Sequence, residues 1–208
     1  MNITEQRARA IALGTSTLYE ASGLACAADP AIRPVWSGAA IAGPIYPVQC
    51  SPGDNLAIHL ALERAPRESV LVVCTGNFIA GYWGEVLTVA AEAAGIRGLI
   101  IDGGVRDVAA LSRHCFPVFA RGISVCGTIK SSAPSIGQPI RFTGVPAQAG
   151  DWVVADEDGV VILPASALEK TLTAGEARAA KEATMMEQLA RGATTVDLIG
   201  LQAWRERV

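Results

Sequence analysis

Val70-Leu71-Val72-Val73-Cys74-Thr75 and Gly98-Leu99-Ile100-Ile101-Asp102 are two nearly unbroken apolar runs. A strand with one wet face alternates apolar and polar residues. A run without that alternation fits a strand covered on both faces, as in a parallel sheet. Gly84 to Ala94, between the runs, has helical character. Asp107 to Arg113 suits a short helix, and Pro117-Val118-Phe119-Ala120-Arg121 reads as a third strand. Strands alternating with helices of about ten residues predict an α/β layered fold with parallel pairing.

Upstream, Ala8, Ile11, Ala12, Thr15 and Leu18 recur at helical spacing, so Thr4 to Ala21 is expected to be one helix with a buried stripe. Gly38 to Gln49 reads as strand material broken by Pro44 and Pro47. A second helix should follow near Leu56, capped by Ser51 or Asp54. Downstream of Ser124 the pattern turns β-rich. Asp158-Gly159 between two apolar runs predicts a hairpin. From about residue 165 an Ala/Glu/Lys/Arg-rich helix extends to Arg191 and is polar enough to lie outside or reach a neighbouring subunit. With no repeat or linker, residues 1–208 are expected to form one domain with this C-terminal helical extension.

Composition narrows the function classes. Half of the 208 residues are hydrophobic and the net charge is −3, which excludes disorder and gives no basic stripe for nucleic acid. No apolar stretch reaches the ~20 residues of a membrane helix, and the N-terminus carries no signal-peptide pattern. A cytoplasmic protein is expected. Charged residues are 18% of the chain, below the roughly 25% usual for soluble domains, which points to surface buried in a homo-oligomer. Cys26, Cys50, Cys74, Cys115 and Cys126 form no paired motif and read as buried thiols.

Two strand ends are rich in glycine, where open α/β sheets gather their chemistry. Thr75 leads through Gly76-Asn77 to Gly81-Tyr82-Trp83-Gly84-Glu85-Val86-Leu87, and Asp102 leads into Gly103-Gly104-Val105-Arg106-Asp107. If Gly84 precedes a helix, the first-turn amides at Glu85, Val86 and Leu87 form an anion site. Arg106 would add a charged grip on the same carboxylate. Glu85 and Asp107 offer hard oxygens for Mg²⁺ or Mn²⁺. Elsewhere the pointers are weaker. His59 reads as packed or interface-facing, His114 as a helix end, Lys130 as an exposed lysine rather than a Schiff base, and Asp156-Glu157-Asp158-Gly159 as a turn. Trp83 reads equally as pocket wall or core.

An acidic residue, twenty intervening positions, then Arg-Asp is the spacing of Glu85 and Arg106-Asp107. With Pro52-Gly53-Asp54-Asn55, the Gly95–Asp107 block, Phe116–Phe119, Arg121–Ser124, Gly127–Lys130, and Gly150-Asp151 through Val160, it resembles the class II pyruvate aldolase branch of the RraA-like family. The resemblance runs from about Leu13 to Ile199. It implies a layered β/β/α, swivelling-domain-like fold assembled as a trimer or hexamer. It implies that Arg106 binds a pyruvyl carboxylate and that Gly84, Glu85, Val86 and Leu87 cradle it. Asp107 would ligate the metal directly and Glu85 through water, aiding proton transfer. A glutamate of a neighbour's C-terminal helix, Glu182 or Glu187, would approach the metal. The implied reaction is cleavage of a 4-hydroxy-2-oxo acid to pyruvate, with oxaloacetate decarboxylation through the same enolate. One departure is Ala110, where many such aldolases carry an acid. Two alternatives stand beside this: a non-catalytic ribonuclease-inhibiting regulator, whose members are expected to lack the metal-binding aspartate, and a related metal enzyme on another carboxylate.

Overall fold

The computed structural model describes residues 2–207. In chain order the elements are α1 (Ile3–Ser22), β1 (Arg33–Pro34), β2 (Ile41–Gln49), α2 (Leu56–Arg64), β3 (Val70–Cys74), α3 (Glu85–Ala94), β4 (Gly98–Val105), α4 (Val108–Arg113) and β5 (Val118–Ile123). Then follow β6 (Ser135–Ile136), β7 (Ile140–Phe142), β8 (Val145–Ala147), β9 (Trp152–Asp156), β10 (Gly159–Leu163), α5 (Leu168–Ala190), α6 (Thr195–Leu198) and a 3-10 turn at Gln202–Arg207.

The main sheet runs β1-β5-β4-β3-β2-β9-β10, with β6 on β2 and β7–β8 as a separate hairpin. Strands β2, β3, β4 and β5 pair in parallel, as the unbroken runs predict. In β3, Leu71 and Val73 pack with α2 and α3, while Val70, Val72 and Cys74 pack with β9, β10 and the β7–β8 hairpin. Both faces are thus dry, and each fully buried aliphatic side chain contributes roughly 1.5–3 kcal/mol. The result is a helix layer, a sheet layer and a second β layer, in the expected β/β/α order. A third cluster packs α1 and α5 against β9 and β10. Among the described residues no helix is long and apolar enough to cross a membrane.

Three local expectations change. Helix α1 breaks at Gly14 (φ 76°, ψ 165°), and the freed Thr15 amide and hydroxyl bind the Asp156 carboxylate at 2.8 and 2.6 Å. Pro44 and Pro47 lie inside a central strand. They are tolerated because β2 changes partners along its length: Ile41–Pro44 pairs antiparallel with β9, Ile45–Gln49 parallel with β3. Two cysteines are not buried. Cys115 and Cys126 are exposed, because each sits on a connecting loop. Cys50 and Cys74 follow the expectation, and burial pushes both thiols up to about 12, leaving them protonated and inert.

Candidate active site at the ends of β3 and β4

The loop between β3 and α3 is drawn back against the end of β4. Tyr82 N–H donates to Gly104 O at 3.0 Å, and Arg106 N–H to Trp83 O at 2.8 Å. Trp83 is fully buried, stacks on Phe116 and donates its indole N–H to Thr88 Oγ1 at 2.8 Å. The tryptophan is therefore core and cleft wall at once. It anchors the first turn of α3 beside Arg106 and Asp107.

Helix α3 starts on Gly84, which has no side chain to cap it. Asp107 does that work from the neighbouring loop, its Oδ2 accepting from Glu85 N–H at 3.0 Å. A carboxylate at a helix N-terminus is favoured by the exposed amides and the helix dipole. Two backbone features permit the approach. Asp107 adopts the left-handed conformation (φ 59°, ψ 36°) that aspartate tolerates better than most residues. A β-carbon on residue 84 would collide with Asp107 Oδ2, so glycine is required there.

Together these elements bound a cleft of about 240 Å³. Its walls include Gly84, Val86 and Leu87 from α3, Arg106 and Asp107 after β4, Asn55 and His59 from α2, and Thr128 and Lys130 from the loop after β5. Larger cavities lie elsewhere, among them two of about 410 Å³: one apolar around Cys26, Pro146 and Ile162, the other between Asp29, Asp102 and Arg121. The smaller cleft combines helix N-terminal amides, a half-exposed arginine and a carboxylate.

Asp54 fixes the α2 side of this cleft. Its carboxylate accepts from Leu56 N–H at 2.8 Å, Ser131 N–H at 2.6 Å and Ser132 N–H at 2.8 Å. These backbone donors hold it well below the usual carboxylate range. Asp54 thus caps the start of α2, as expected, and ties the loop carrying Thr128 and Lys130 to it. Asn55 and Ile129 complete the joint, with Asn55 N–H donating to Ile129 O at 3.1 Å.

The structure brings Gly84, Val86, Leu87, Arg106 and Asp107 together. The Glu85 amide joins them, but its carboxylate turns toward the end of α4, with Oε1 3.5 Å from Arg113 Nη2 and 3.7 Å from His114 Nε2. His114 caps the end of α4, as its sequence position suggests. Glu182 pairs with Arg178 at 2.8 Å, and Glu187 with Arg191 at 3.7 Å; neither lines the cleft of its own chain. Ala110 is buried on α4. Lys130 is exposed at the cleft. His59, read from the sequence as packed or interface-facing, is partly buried and also lines the cleft, a place the sequence reading did not give it. The one available signal was its position four residues after Asn55, on the same helical face.

Hard oxygen donors are the appropriate set for Mg²⁺ or Mn²⁺. Asp107 presents a half-exposed carboxylate at the cleft mouth, and its contacts among the described residues, Glu85 N–H and the more distant Arg106 at 3.9 Å, both use Oδ2. Among the described residues no three His, Cys, Asp or Glu side chains converge as a ready cage. A Mg²⁺-type ion needs no such cage, since it takes one or two carboxylates and keeps water and substrate oxygens.

A family model for the RraA-like family, described as Aldolase/RraA, matches residues 15–162. The chain belongs to the RraA-like family. One RraA-like relative from Halalkalibacterium halodurans bears the name "Putative 4-hydroxy-4-methyl-2-oxoglutarate aldolase"; it is 29% identical over 178 residues, covering 85% of this chain and 82% of that protein. A Burkholderia multivorans protein of the same name is 32% identical, covering 68% of this chain and 87% of its own length. Among solved structures, the RNA-processing inhibitor RraA from Thermus thermophilis superposes with a TM-score of 0.61 at 25% identity, covering 66% of this chain and 84% of that one. The family's names therefore span aldolases and an RNA-processing inhibitor. The cleft chemistry must choose between them.

Proposed function

We propose that this chain is a divalent-metal-dependent lyase that cleaves a 4-hydroxy-2-oxo acid and releases pyruvate. The observation that carries this reading is the Arg106-Asp107 pair set against the first turn of α3 in one cleft, at a place where a β-carbon on residue 84 would collide with the Asp107 carboxylate. The substrate carboxylate is taken by the Arg106 guanidinium and the amides of Val86 and Leu87, a charge-assisted grip at a helix N-terminus. Asp107 would hold the metal directly, and Glu85 would do so through water once its carboxylate turned from Arg113 and His114. A divalent ion bound there would supply Lewis-acid stabilisation for the negative charge that grows on the 2-oxo oxygen as the C3–C4 bond breaks. Trp83 and Leu87 keep one wall of the cleft dry, which strengthens each of these electrostatic contacts.

Oxaloacetate decarboxylation passes through the same pyruvate enolate and is expected as a second activity. The working form is a homo-oligomer, a trimer or hexamer, with Glu182 or Glu187 of a neighbouring copy approaching the metal. Apolar side chains exposed on segments that border the cleft support that assembly: Val86 is 80% exposed, Val125 89% and Ile129 63%.

The direct test is pyruvate release from 4-hydroxy-4-methyl-2-oxoglutarate and from oxaloacetate, with Mg²⁺ or Mn²⁺ and then with excess EDTA. Metal-dependent pyruvate formation is expected; its absence from both compounds would sink the lyase reading. A second reading, a protein-binding regulator without catalysis, draws on the likeness to the Thermus thermophilis inhibitor. It predicts no metal retained at Asp107 and inhibition of a ribonuclease in a purified mixture. A third, a related metal enzyme acting on another carboxylate, rests on Ala110, where the aldolase pattern has an acid; it predicts metal-dependent turnover of a different acid.

A further inference from the structure

The wall of the cleft built by α2 carries two polar atoms that the lyase reading does not use. Asn55 is 5% exposed. Its Nδ2 donates to Tyr82 O at 3.0 Å, which fixes the amide orientation, because a carbonyl oxygen can only accept. Its Oδ1 is then an acceptor, and this buried atom has no hydrogen-bond partner among the described residues. One helical turn on, His59 Nε2 is likewise buried and unpartnered. Both residues line the cleft that holds Arg106 and Asp107. Buried polar atoms left unpaired are costly, and most have a partner in the working state of a protein. Two in one wall of one cleft leave both atoms available to a ligand group.

The chemistry of the pair defines that group. Asn55 Oδ1 requires a donor. Burial, aided by the nearby Lys130 charge, holds the His59 imidazole below its usual range, so it is neutral near pH 7. A neutral ring nitrogen is either a donor or an acceptor. A second carboxylate has no proton to give Asn55 Oδ1, and a ketone has none either. An alcohol has one O–H to donate and lone pairs to accept, so its chemistry suits both atoms.

We propose that Asn55 and His59 form a hydroxyl-recognising subsite, which selects 2-oxo acids that carry an alcohol group on the chain beyond the carboxylate held by Arg106. This rests on the lyase reading for the identity of the ligand, but its physical content is separate: the cleft prefers a hydroxylated diacid over the same diacid without the hydroxyl. The pair's role is specificity. Oxaloacetate lacks the alcohol and bypasses it.

The test uses two compounds that cannot undergo the cleavage, 2-hydroxyglutarate and glutarate. Each is titrated calorimetrically into the Mg²⁺-loaded protein. The hydroxylated diacid is expected to bind at least about tenfold more tightly, since a site built to hydrogen-bond a hydroxyl discriminates against its absence. His59→Phe and Asn55→Ala should abolish that preference while leaving glutarate affinity within about twofold. His59→Gln, which keeps a polar tip, should restore part of it. Should Asn55→Ala lose its melting transition through the broken Tyr82 contact, the two His59 variants decide alone. Equal affinity for the two diacids in the unmodified protein, no measurable binding of 2-hydroxyglutarate, or a preference that survives His59→Phe would each overturn the subsite. Pyruvate release is measured separately. Preference without turnover keeps the subsite and removes the lyase; turnover without preference does the reverse.

Discussion

At the scale of single residues, the site depends on short-range constraints. Asp107 reaches the α3 amide only because residue 84 has no β-carbon and residue 107 accepts a left-handed backbone. Arg106, by contrast, is half exposed and makes one ion pair among the described residues, a loose 3.9 Å contact with its neighbour Asp107. Its side chain therefore contributes little to the fold and is free to serve a ligand. Arg106→Ala should lower kcat/KM for pyruvate release by at least about 100-fold, the usual effect of removing a charge-stabilising donor, and leave the melting temperature within a degree or two. A fall in melting temperature that matched the activity loss would mean that the arginine is structural. Part of this was legible in the chain: the glycines before Glu85 and before Arg106-Asp107 pointed to an anion site, and the spacing of these residues carried the resemblance to the aldolase branch. The direction of the Glu85 carboxylate was not, because it is set by Arg113 and His114 on a different helix.

At the scale of elements, α2 and α3 are each held to their loops by one buried polar joint. For α3 the joint is Trp83 Nε1 to Thr88 Oγ1, with both residues fully buried. Thr88→Val preserves the shape and leaves the indole N–H unpaired, which should cost about 1–3 kcal/mol. Urea unfolding of the two proteins measures this; an unchanged midpoint would show that the indole finds another acceptor. For α2 the joint is Asp54. Its carboxyl titrates below its unfolded value of about 3.9, because three backbone N–H groups favour the charged form. A depressed carboxylate stabilises the fold above its unfolded pKa, and that contribution is lost as pH falls through the folded value. Unfolding midpoints should therefore drop below about pH 4, and Asp54→Asn should be less stable at pH 7 with a shallower acid limb. Parallel acid limbs in the two proteins would assign the loss to other carboxylates, among them Asp29 and Glu68, which are also depressed.

At the scale of the whole molecule, the layered core is complete within one chain, but its surface is not. The start of α5 is buried against α1 through Leu168, Thr171 and Leu172. Its end and the segment after it expose Met186 (62%), Ile199 (55%) and Trp204 (59%). Apolar surface of this kind, beyond scattered single residues, marks a contact region. In sizing chromatography the protein should elute well above its 21.6 kDa chain mass. Removing residues 192–208 should keep the fold, because none of the described residues there is buried, and shift the protein to a smaller assembly. Elution of the full chain as a monomer would leave the exposed tail and cleft border without this explanation.

What the sequence determined by itself was everything governed by near neighbours. The unbroken runs of β3 and β4, the Asp158-Gly159 hairpin and the glycine-led start of α3 all follow from periodicity and local backbone preference, which act within a few residues. The Arg106-Asp107 pair stood out by its glycine-rich strand end and by the resemblance of its spacing to the aldolase branch. Tertiary structure alone decided which distant groups meet. The switch of β2 from β9 to β3 makes room for Pro44 and Pro47, the Asp54 clasp folds the Lys130 loop onto α2, and the packing of α2 turns Asn55 and His59 toward Arg106's cleft. A histidine in an apolar helix carries no local mark of the cavity it lines. That is settled by which helical face the sheet covers, and covering a face is a property of the whole core.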